Sequence, residues 1–241
     1  MQIWGIIMTE LKQIKDQLEV FQVCDSTFPI GSFNHSYGME TYLREEMMED
    51  DASFKEWLLI YLQTQFKYSE ALAILLVYQA QEAEEKWEKI KEIDHRLCVS
   101  TLSKETRDGA KMVAKQMTKL VMGLFPNKDL KQYGQMIEQK EVYGHPAIVF
   151  GLFSHDKHLE LKEAVMYYGY SILSTMVQNA VRAIPLGQQP GQLILKEALA
   201  TLEKVTKETL SLTMDDLGAN MPGIELAQMK HEVQIFRLFM S

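Results

Sequence analysis

The chain has 241 residues, of which 46% are apolar and 24% are charged, and its formal net charge is −8. This length and apolar content allow a sizeable buried core, while the acidic balance argues against a nucleic-acid-binding protein, which needs a clustered basic face. Cys24 and Cys98 are too few for a disulfide framework or a set of metal ligands. Two free thiols in a reducing cytoplasm are therefore expected.

Apolar residues recur at helical spacing along most of the chain, and the alternating patterns typical of β-strands are missing. The sequence therefore predicts an all-α fold, in which residues 1–241 form a single-domain helical bundle. Residues 1–15 are expected to be frayed. A first amphipathic helix is predicted to end near Asp25, and its apolar stripe consists of Leu11, Ile14, Leu18 and Phe21.

The segment from residue 25 to residue 41 is neither an ordinary helix nor an ordinary loop. Pro29 and Gly31 interrupt helical structure. The segment nevertheless carries several large apolar side chains, which are Phe28, Ile30, Phe33 and Tyr37. A loop with this much apolar surface is either buried or binds a partner.

Further helices are predicted from serine caps, apolar stripes and glycine or proline breaks. Ser53 and Ser103 are expected to cap helices, and the helix after Ser53 continues or restarts at Ser69. The alternating charges of residues 82–92 indicate an exposed helix surface. Shorter helices follow over residues 130–137 and 147–153, and a loop follows over residues 154–158.

The stretch from Ala164 to Leu186 is apolar on nearly every side of a helical wheel, but it contains too many polar residues for a lipid-facing span. It is predicted to be the packed central helix of the bundle, with Pro185 and Gly187 ending it. Arg182 lies near its end. The favoured interpretation is an internal ion pair between Arg182 and a carboxylate, and the alternative is an exposed contact.

After an amphipathic helix over residues 193–205 and a polar loop over residues 212–223, the chain ends in an apolar and basic terminus. Chain termini are usually polar and frayed, so the run Phe236-Arg237-Leu238-Phe239 is unusual. A terminus of this composition indicates a binding role.

The sequence contains no assembled catalytic or metal-binding motif. No lysine-containing phosphate loop is present. The run Ser154-His155-Asp156 consists of sequence neighbours, whereas the residues of a catalytic triad come from separate segments. His155 and His158 are more typical of a solvated turn than of a metal site, and His35 is more typical of a buried, hydrogen-bonded histidine. No catalytic residue and no metal ligand is predicted.

Three of the unusual stretches match conserved family signatures. The first match consists of Asp25, Ser26, Pro29, Ile30, Gly31, Phe33, His35, Ser36, Gly38 and Glu40. The second consists of Val181, Arg182, Pro185, Leu186, Gly187, Gln188, Gly191 and Gln192, and the third of His231, Glu232, Arg237, Leu238, Phe239 and Ser241. Together, they resemble the UreF family of urease accessory proteins, in order and spacing, from Leu18 onward. The penultimate arginine of the family's tail is Met240 here.

The resemblance implies an all-α fold of UreF type and a chaperone or scaffold role in urease maturation, without catalysis. Members of the family bind a second accessory protein, UreD (also called UreH), and recruit the GTPase UreG to apo-urease, where nickel is inserted into the active site. The resemblance further implies that nickel and GTP are handled by the partners, so that this chain binds no cofactor itself. A cytoplasmic homodimer is expected, with no nucleic-acid or membrane partner.

The resemblance also assigns roles to residues of the three stretches. The expected partner-binding residues are Phe33, His35, Tyr37, Glu40, Tyr42, Arg182, Gln188, Arg237, Leu238, Phe239 and Ser241. The expected structural residues are Asp25, Pro29, Gly31, Gly38, Pro185 and Gly187. The tail, residues 224–241, is expected to become ordered when a partner binds. A purely structural interpretation of the first stretch, in which its glycines and His35 lock the fold, stays open.

Two other functions also stay open. In the first, the chain activates UreG by supplying an arginine to the GTPase site, with Arg237 or Arg107 as the candidate. In the second, which is less favoured, it is an independent hydrolase or metal-binding protein, supported only by the run Ser154-His155-Asp156 and by His158.

Overall fold

The computed structural model of the chain describes residues 2–239, with side chains described from residue 10 onward, so Met240 and the predicted site residue Ser241 lie outside the described residues. Within residues 2–239 there are helices and no β-strand, which confirms the all-α prediction. The helices are α1 (Gln2–Cys24), α2 (Met39–Arg44), α3 (Asp51–Tyr61), α4 (Leu72–Gln81), α5 (Lys86–Ser100), α6 (Lys104–Leu124), α7 (Lys128–Glu138), α8 (Pro146–Asp156), α9 (Leu161–Ala183), α10 (Gln188–Thr209) and α11 (Pro222–His231). None of the described helices is both long and apolar enough to cross a membrane.

Helix α9 is the central helix of the bundle, as its composition predicted. It packs along α10 and also contacts α1, α4 and α8. The contact with α10 is close because Gly169 has no side chain: a Cβ there would lie 2.4 Å from Cδ1 of Leu202. The helix ends at Ala183, because Ile184 adopts the extended conformation that a residue before proline prefers.

Helices α3 and α4 form one continuous rod, joined by a π-helical segment over Leu62–Ala71. The rod therefore continues through Ser69 instead of restarting there. The predicted cap needs a correction, because the N-cap residue is Asp50. The carboxylate of Asp50 accepts the backbone N–H of Ser53 at 2.9 Å, and Oγ of Ser53 accepts the backbone N–H of Asp50 at 3.1 Å. Ser53 completes a capping box from its third position.

Helix α1 turns its predicted apolar stripe away from the core. The side chains of Leu11, Ile14, Leu18 and Phe21 are between 51 and 61% exposed. The helix contacts the core through Val20, Val23 and Cys24 instead. The stripe is therefore a hydrophobic surface that no described part of the chain covers. The backbone of α1 is helical from Gln2, and the fraying of residues 1–15 stays a prediction.

The loop predicted over residues 154–158 is wrong in its first half, because α8 continues to Asp156. Ser154 is buried, where its hydroxyl donates to the carbonyl of Gly151 at 3.3 Å and accepts the hydroxyl proton of Tyr78 at 3.1 Å. His155 packs edge-on against Tyr78. These contacts fix the end of α8, and the described residues contain no group of three side chains suited to hold a metal ion.

Candidate partner-binding site

The segment between α1 and α2 is shaped by short-range interactions. A carboxylate oxygen of Asp25 accepts the backbone N–H of Thr27 at 2.7 Å and so closes a turn directly after α1. Gly31 and Gly38 have φ angles of +87° and +89°, in the left-handed region that favours glycine. At Gly38, an added Cβ would also meet the side chain of Gln228 at 3.2 Å. The backbone of this segment is thus defined locally.

His35 lies buried at the contact between this segment and α6. A Cβ on Gly109 of α6 would lie 2.5 Å from Cε1 of His35, so Gly109 leaves the space that the imidazole ring occupies. The carbonyl of His35 accepts a hydrogen bond from Nδ2 of Asn179 at 2.8 Å. His35 therefore packs the segment onto α6 and α9 and does not present its ring to solvent.

Arg182 connects the same segment to the end of the chain. Its guanidinium group donates to the carbonyl of Phe33 at 3.1 Å and to Oδ1 of Asn179. Its Cζ lies 5.4 Å from the ring centroid of Phe239, a cation–π distance. Arg182 is exposed and pairs with no carboxylate among residues 10–239, so the favoured prediction of an internal ion pair is wrong. A carbonyl, an amide and an aromatic ring take the place of the carboxylate.

Glu40, which is 1% exposed, binds the backbone of the tail. Its Oε1 accepts the N–H of Leu238 at 2.7 Å, and its Oε2 accepts the N–H of Phe239 at 3.0 Å. Burial alone would raise the pKa of Glu40, but hydrogen bonds from Leu238, His231 and Phe239 together hold that pKa below its ordinary value. The carboxylate is therefore charged, and it fixes two consecutive tail residues.

His231, fully buried, lies between two carboxylates. Its Nε2 is 3.1 Å from Oε2 of Glu40, and its Nδ1 is 3.1 Å from Oε2 of Glu105. Glu105 in turn accepts a hydrogen bond from Nη1 of Arg237 at 2.6 Å. The series Glu40, His231, Glu105 and Arg237 thus joins α2, α11, α6 and the tail, and we call these four side chains the tail junction.

The residue after His231 completes the N-terminus of α6. Oε1 of Glu232 accepts the hydroxyl of Ser103 at 2.8 Å and the backbone N–H of Glu105 at 3.2 Å. Ser103 is the predicted N-cap of α6, and its Oγ accepts the N–H of Thr106 at 3.3 Å. Arg107 donates to two carbonyls of the preceding loop, both at 2.7 Å. Two side chains therefore cap the first turn of α6: Ser103, which directly precedes it, and Glu232, which directly follows α11.

The outer side of the tail is apolar and exposed. Val233, Ile235, Phe236 and Leu238 are 81, 91, 77 and 69% exposed. The tail is nevertheless bound to the body, because Glu40 accepts the backbone N–H of Leu238 and the side chain of Arg237 binds Glu105. Contiguous exposed apolar side chains on a bound backbone are typical of an interaction surface. We call these four residues the tail face.

Comparison with known sequences identifies the same family as the sequence resemblance. The sequence model of the UreF family matches residues 48–199. A protein of Streptococcus salivarius (strain 57.I) named urease accessory protein UreF is 54% identical over 228 residues, which cover 95% of this chain and 96% of that protein. A protein of the same name from Bacillus sp. (strain TB-90) is 43% identical over 224 residues, covering 93% and 98%. The chain belongs to the UreF family.

The residues that the UreF resemblance singled out do not all lie at one place. Two of them, Glu40 and Arg237, belong to the tail junction. Five more are linked to it through Asn179 or the tail, and these are Phe33, His35, Arg182, Leu238 and Phe239. Tyr37 packs edge-on against Tyr61, and Tyr42 packs against Trp57. Pro185 and Gly187, between α9 and α10, and Gln188, the first residue of α10, are exposed.

Two residues of this region were not predicted, namely Glu105 of the tail junction and Asn179, which binds His35 and Arg182. Asn179 is 1% exposed within the central helix α9, and a buried polar residue needs a hydrogen-bond partner. That position was the signal by which Asn179 could have been found. Glu105 gives no comparable signal, because a glutamate in the first turn of a helix is common in any helix.

A cavity of about 100 Å³ lies beside His35 and is lined mainly by apolar surface, with Tyr37, Glu70 and Gln228 among its polar lining residues. Glu70 belongs to the π-helical segment, and burial raises its pKa to about 7. Among the described residues, Oε1 of Gln228 has no hydrogen-bond partner. Glu70 and Gln228 thus place two polar groups at a cavity whose lining is otherwise mainly apolar.

Proposed function

We propose that this chain is a urease accessory protein without catalytic activity that binds UreD (UreH) and recruits the GTPase UreG to apo-urease for nickel insertion. Membership of the UreF family supports the urease role in general, and the resemblance of the three sequence stretches suggested the individual partners. In this proposal nickel and GTP stay on the partner proteins, and the chain works in the cytoplasm as a scaffold.

The observation that carries the proposal is the tail face, held on the body by the tail junction. A free tail loses conformational entropy when it binds a partner. Here, Glu40 already fixes the backbone of Leu238 and Phe239 through two hydrogen bonds. Preorganisation of this kind lowers the cost of association, and exposed aromatic side chains and arginines are frequent binding hot spots. Further ordering of residues 224–241 by a partner stays a prediction.

Co-purification with the UreD and UreG proteins of the same organism tests this proposal. We expect the full chain to form the ternary complex and the double variant Ile235→Asp/Phe236→Asp to fail. The matched control is Leu210→Asp, because Leu210 is 50% exposed at the end of α10, away from the tail face. Circular dichroism checks that all three chains are folded.

Each result of that experiment has one meaning. Loss of the complex in the double variant alone supports the tail face as the interface. Equal binding by all three chains would move the interface to other motif residues, such as Phe33 and Gln188. Failure of the unchanged chain to bind either protein would refute the assigned partners.

The second version of the proposal has the chain activate UreG with an arginine. Its support is that Arg237 is partly exposed within the tail, where its side chain is 35% exposed. Arg237→Ala should then bind UreG normally and fail to stimulate GTP hydrolysis. If binding and stimulation fall together, Arg237 is a binding residue. Arg107 fits this role less well, because it already binds two backbone carbonyls.

The exposed stripe of α1 supports the homodimer that belongs to this proposal. Four apolar side chains, spaced to lie along one face of α1, suit an isologous contact with the same face of a second copy. Leu18→Glu should shift the mass measured by light scattering from dimer to monomer. Leu193→Glu, at an equally exposed site on α10, should leave the mass unchanged.

A further inference from the structure

The groove between α6 and α7 is a further surface, which combines an apolar floor with a border of lysines. It has a volume of about 580 Å³ and lies along the C-terminal half of α6, whereas the tail contacts the first turn of that helix. Apolar and small side chains line it, namely Met112, Met122, Leu130, Ile137, Thr118 and Gly134. Met112 is 56% exposed. The groove belongs neither to the tail junction nor to the stripe of α1.

Three lysines border the groove: Lys115 and Lys119 on α6 and Lys131 on α7. They are exposed, and none of them forms an ion pair with a carboxylate among residues 10–239. Glu138 is the only acidic residue among the groove-lining residues of the described chain. This local excess of positive charge contrasts with the formal net charge of −8 for the whole chain.

Gly134 keeps the groove open. It lies in the middle of α7, where glycine costs about 1 kcal/mol of helix stability relative to alanine. A Cβ at this position would lie 3.1 Å from Cγ2 of Thr118 on α6, so the absence of a side chain lets the two helices approach and leaves the floor of the groove bare. The two methionines at the ends of the floor are adaptable apolar contacts.

We propose that this groove binds an amphipathic helix of a partner protein whose apolar stripe is flanked by aspartate and glutamate side chains. Met112 and Met122 are ten positions apart on one helix, so the groove is about 15 Å long and accommodates about three turns of a bound helix. Apolar side chains at positions i, i+3, i+4 and i+7 would enter the floor, which is the usual mode of helix-in-groove recognition. The flanking carboxylates would meet the three lysines.

The charge and shape of the groove favour this occupant over a nucleic acid or a membrane. Single-stranded nucleic acid needs aromatic side chains for stacking, and the residues that line this groove include none. A lipid surface is flat or convex on the scale of a protein, whereas this surface is a concave channel between two helices. The proposal is independent of the urease role, because it rests only on the composition of α6 and α7.

Binding of a designed peptide to the full chain tests the inference. The probe is a fluorescein-labelled acidic amphipathic helix of about 14 residues with leucine at i, i+3, i+4 and i+7 and glutamate at the flanking positions. Fluorescence anisotropy gives the affinity, and NMR of ¹³C-methyl-labelled methionine locates the site. A scrambled peptide of the same composition is the control for the probe.

The test variant reverses the charge of the three groove lysines, Lys115→Glu/Lys119→Glu/Lys131→Glu. The matched control variant reverses three exposed lysines elsewhere that also lack ion pairs among the described residues, Lys89→Glu/Lys162→Glu/Lys196→Glu. Both variants change the net charge equally. We expect the groove variant to bind the probe at least about tenfold more weakly and the control variant less than about twofold more weakly, because charge pairs at an interface act locally.

The other outcomes would overturn the inference. Equal weakening in both variants would show a general charge effect, and unchanged methyl signals of Met112 and Met122 would place the peptide elsewhere. No binding of the probe, or binding of the scrambled peptide with equal affinity, would also refute it. Capture of the chain by phosphatidylserine vesicles, lost in the groove variant while the peptide fails to bind, would identify a membrane contact instead.

Discussion

Asp94 and Glu40 are two buried carboxylates that each bind two consecutive backbone N–H groups, but their surroundings act on their charge in opposite ways. Asp94 accepts the N–H of Tyr143 at 2.6 Å and that of Gly144 at 2.9 Å, together with the hydroxyl of Tyr133 at 2.5 Å. Burial raises the pKa of Asp94 in spite of these bonds. At Glu40, the hydrogen bonds outweigh burial, and the pKa is lowered.

In both sites the backbone N–H groups set the geometry, while the other neighbours of the carboxylate decide which protonation state is stable. Glu40 has His231 against it in addition to its two N–H groups. Asp94 is buried to the same extent, and the loop before α8 closes over it. One carboxylate thus holds an internal loop in place, and the other holds the last residues of the chain on its surface.

Removal of the Asp94 carboxylate should have the largest effect. In Asp94→Ala, two N–H groups and one hydroxyl would lose their acceptor inside the core, and we expect the free energy of unfolding to fall by about 3 to 5 kcal/mol. Urea denaturation measures this loss. Asp108→Ala, on the exposed surface of α6, is the control and should cost less than about 0.5 kcal/mol. Equal losses in the two variants would contradict a special role for Asp94.

Glu70 is a third carboxyl group, and its side-chain partners are the hydroxyl groups of Tyr61 and Ser69. Its pKa is raised from the ordinary 4.5 to about 7, so the folded state binds this proton more tightly than the unfolded state. The contribution of Glu70 to the free energy of unfolding is fully present below pH 4.5. It is lost as the pH rises through about 7, and the total loss is up to about 3 kcal/mol. Glu70→Gln should remove this loss. The free energy of unfolding of the variant, minus that of the unchanged chain, should therefore be larger at pH 8 than at pH 5. Parallel pH profiles of the two chains would contradict the assignment.

Glu40→Gln should have a smaller and more local effect. The amide keeps one acceptor oxygen but turns an NH₂ group toward a backbone N–H donor, so we expect a loss of about 2 kcal/mol, confined mainly to the tail. Hydrogen exchange should show the amide protons of Leu238 and Phe239 losing at least about tenfold in protection, while those of α9 stay protected. Glu49→Gln, in the exposed loop before α3, is the control.

The exchange protection of the same two amide protons should also depend on pH. Because the folded pKa of Glu40 is lowered, its contribution to stability is present above the ordinary value of 4.5 and is lost as the pH falls through the folded pKa. Protection of Leu238 and Phe239, corrected for intrinsic exchange, should therefore fall on acidification below pH 4.5. In Glu40→Gln that fall should be absent.

Arg237→Lys should have the smallest effect. The ion pair with Glu105 is partly exposed, so even its complete loss would lower the free energy of unfolding by only about 0.5 kcal/mol. The lysine keeps the charge but cannot reproduce the further hydrogen bonds of the guanidinium group to the carbonyls of Gln234 and Glu232. Thermal unfolding should change little, while exchange at the tail should increase. An unchanged tail would show that Glu40 alone holds it.

Helical periodicity was sufficient to predict most elements of the fold. The stripes of α6, α9 and α10 face the core, because their partners lie within the same chain. The stripe of α1 is exposed, because no described part of this chain covers it. Periodicity reports that a face is apolar and does not report what covers it. The π-helical segment has no simple pattern and was not predictable.

The contacts within the tail junction could not be predicted from the sequence. The matched signatures contain Glu40, His231 and Arg237, but spacing along the chain does not bring them together. Glu40 and Leu238 are separated by 198 positions, and their contact depends on how α2, α6 and α11 pack. Arg182 was expected to need a carboxylate, and a carbonyl and an aromatic ring satisfy it instead. Tertiary packing decides such partners.

The contact between Glu232 and the start of α6 has a consequence for synthesis on the ribosome. Residues 103–105 leave the ribosome long before Glu232, which accepts hydrogen bonds from Ser103 and Glu105, has been translated. The first turn of α6 therefore lacks this acceptor until residue 232 emerges. A nascent chain that has not reached Glu232 has only the Ser103 hydroxyl to cap that helix end, and Glu232 adds the acceptor for the N–H of Glu105.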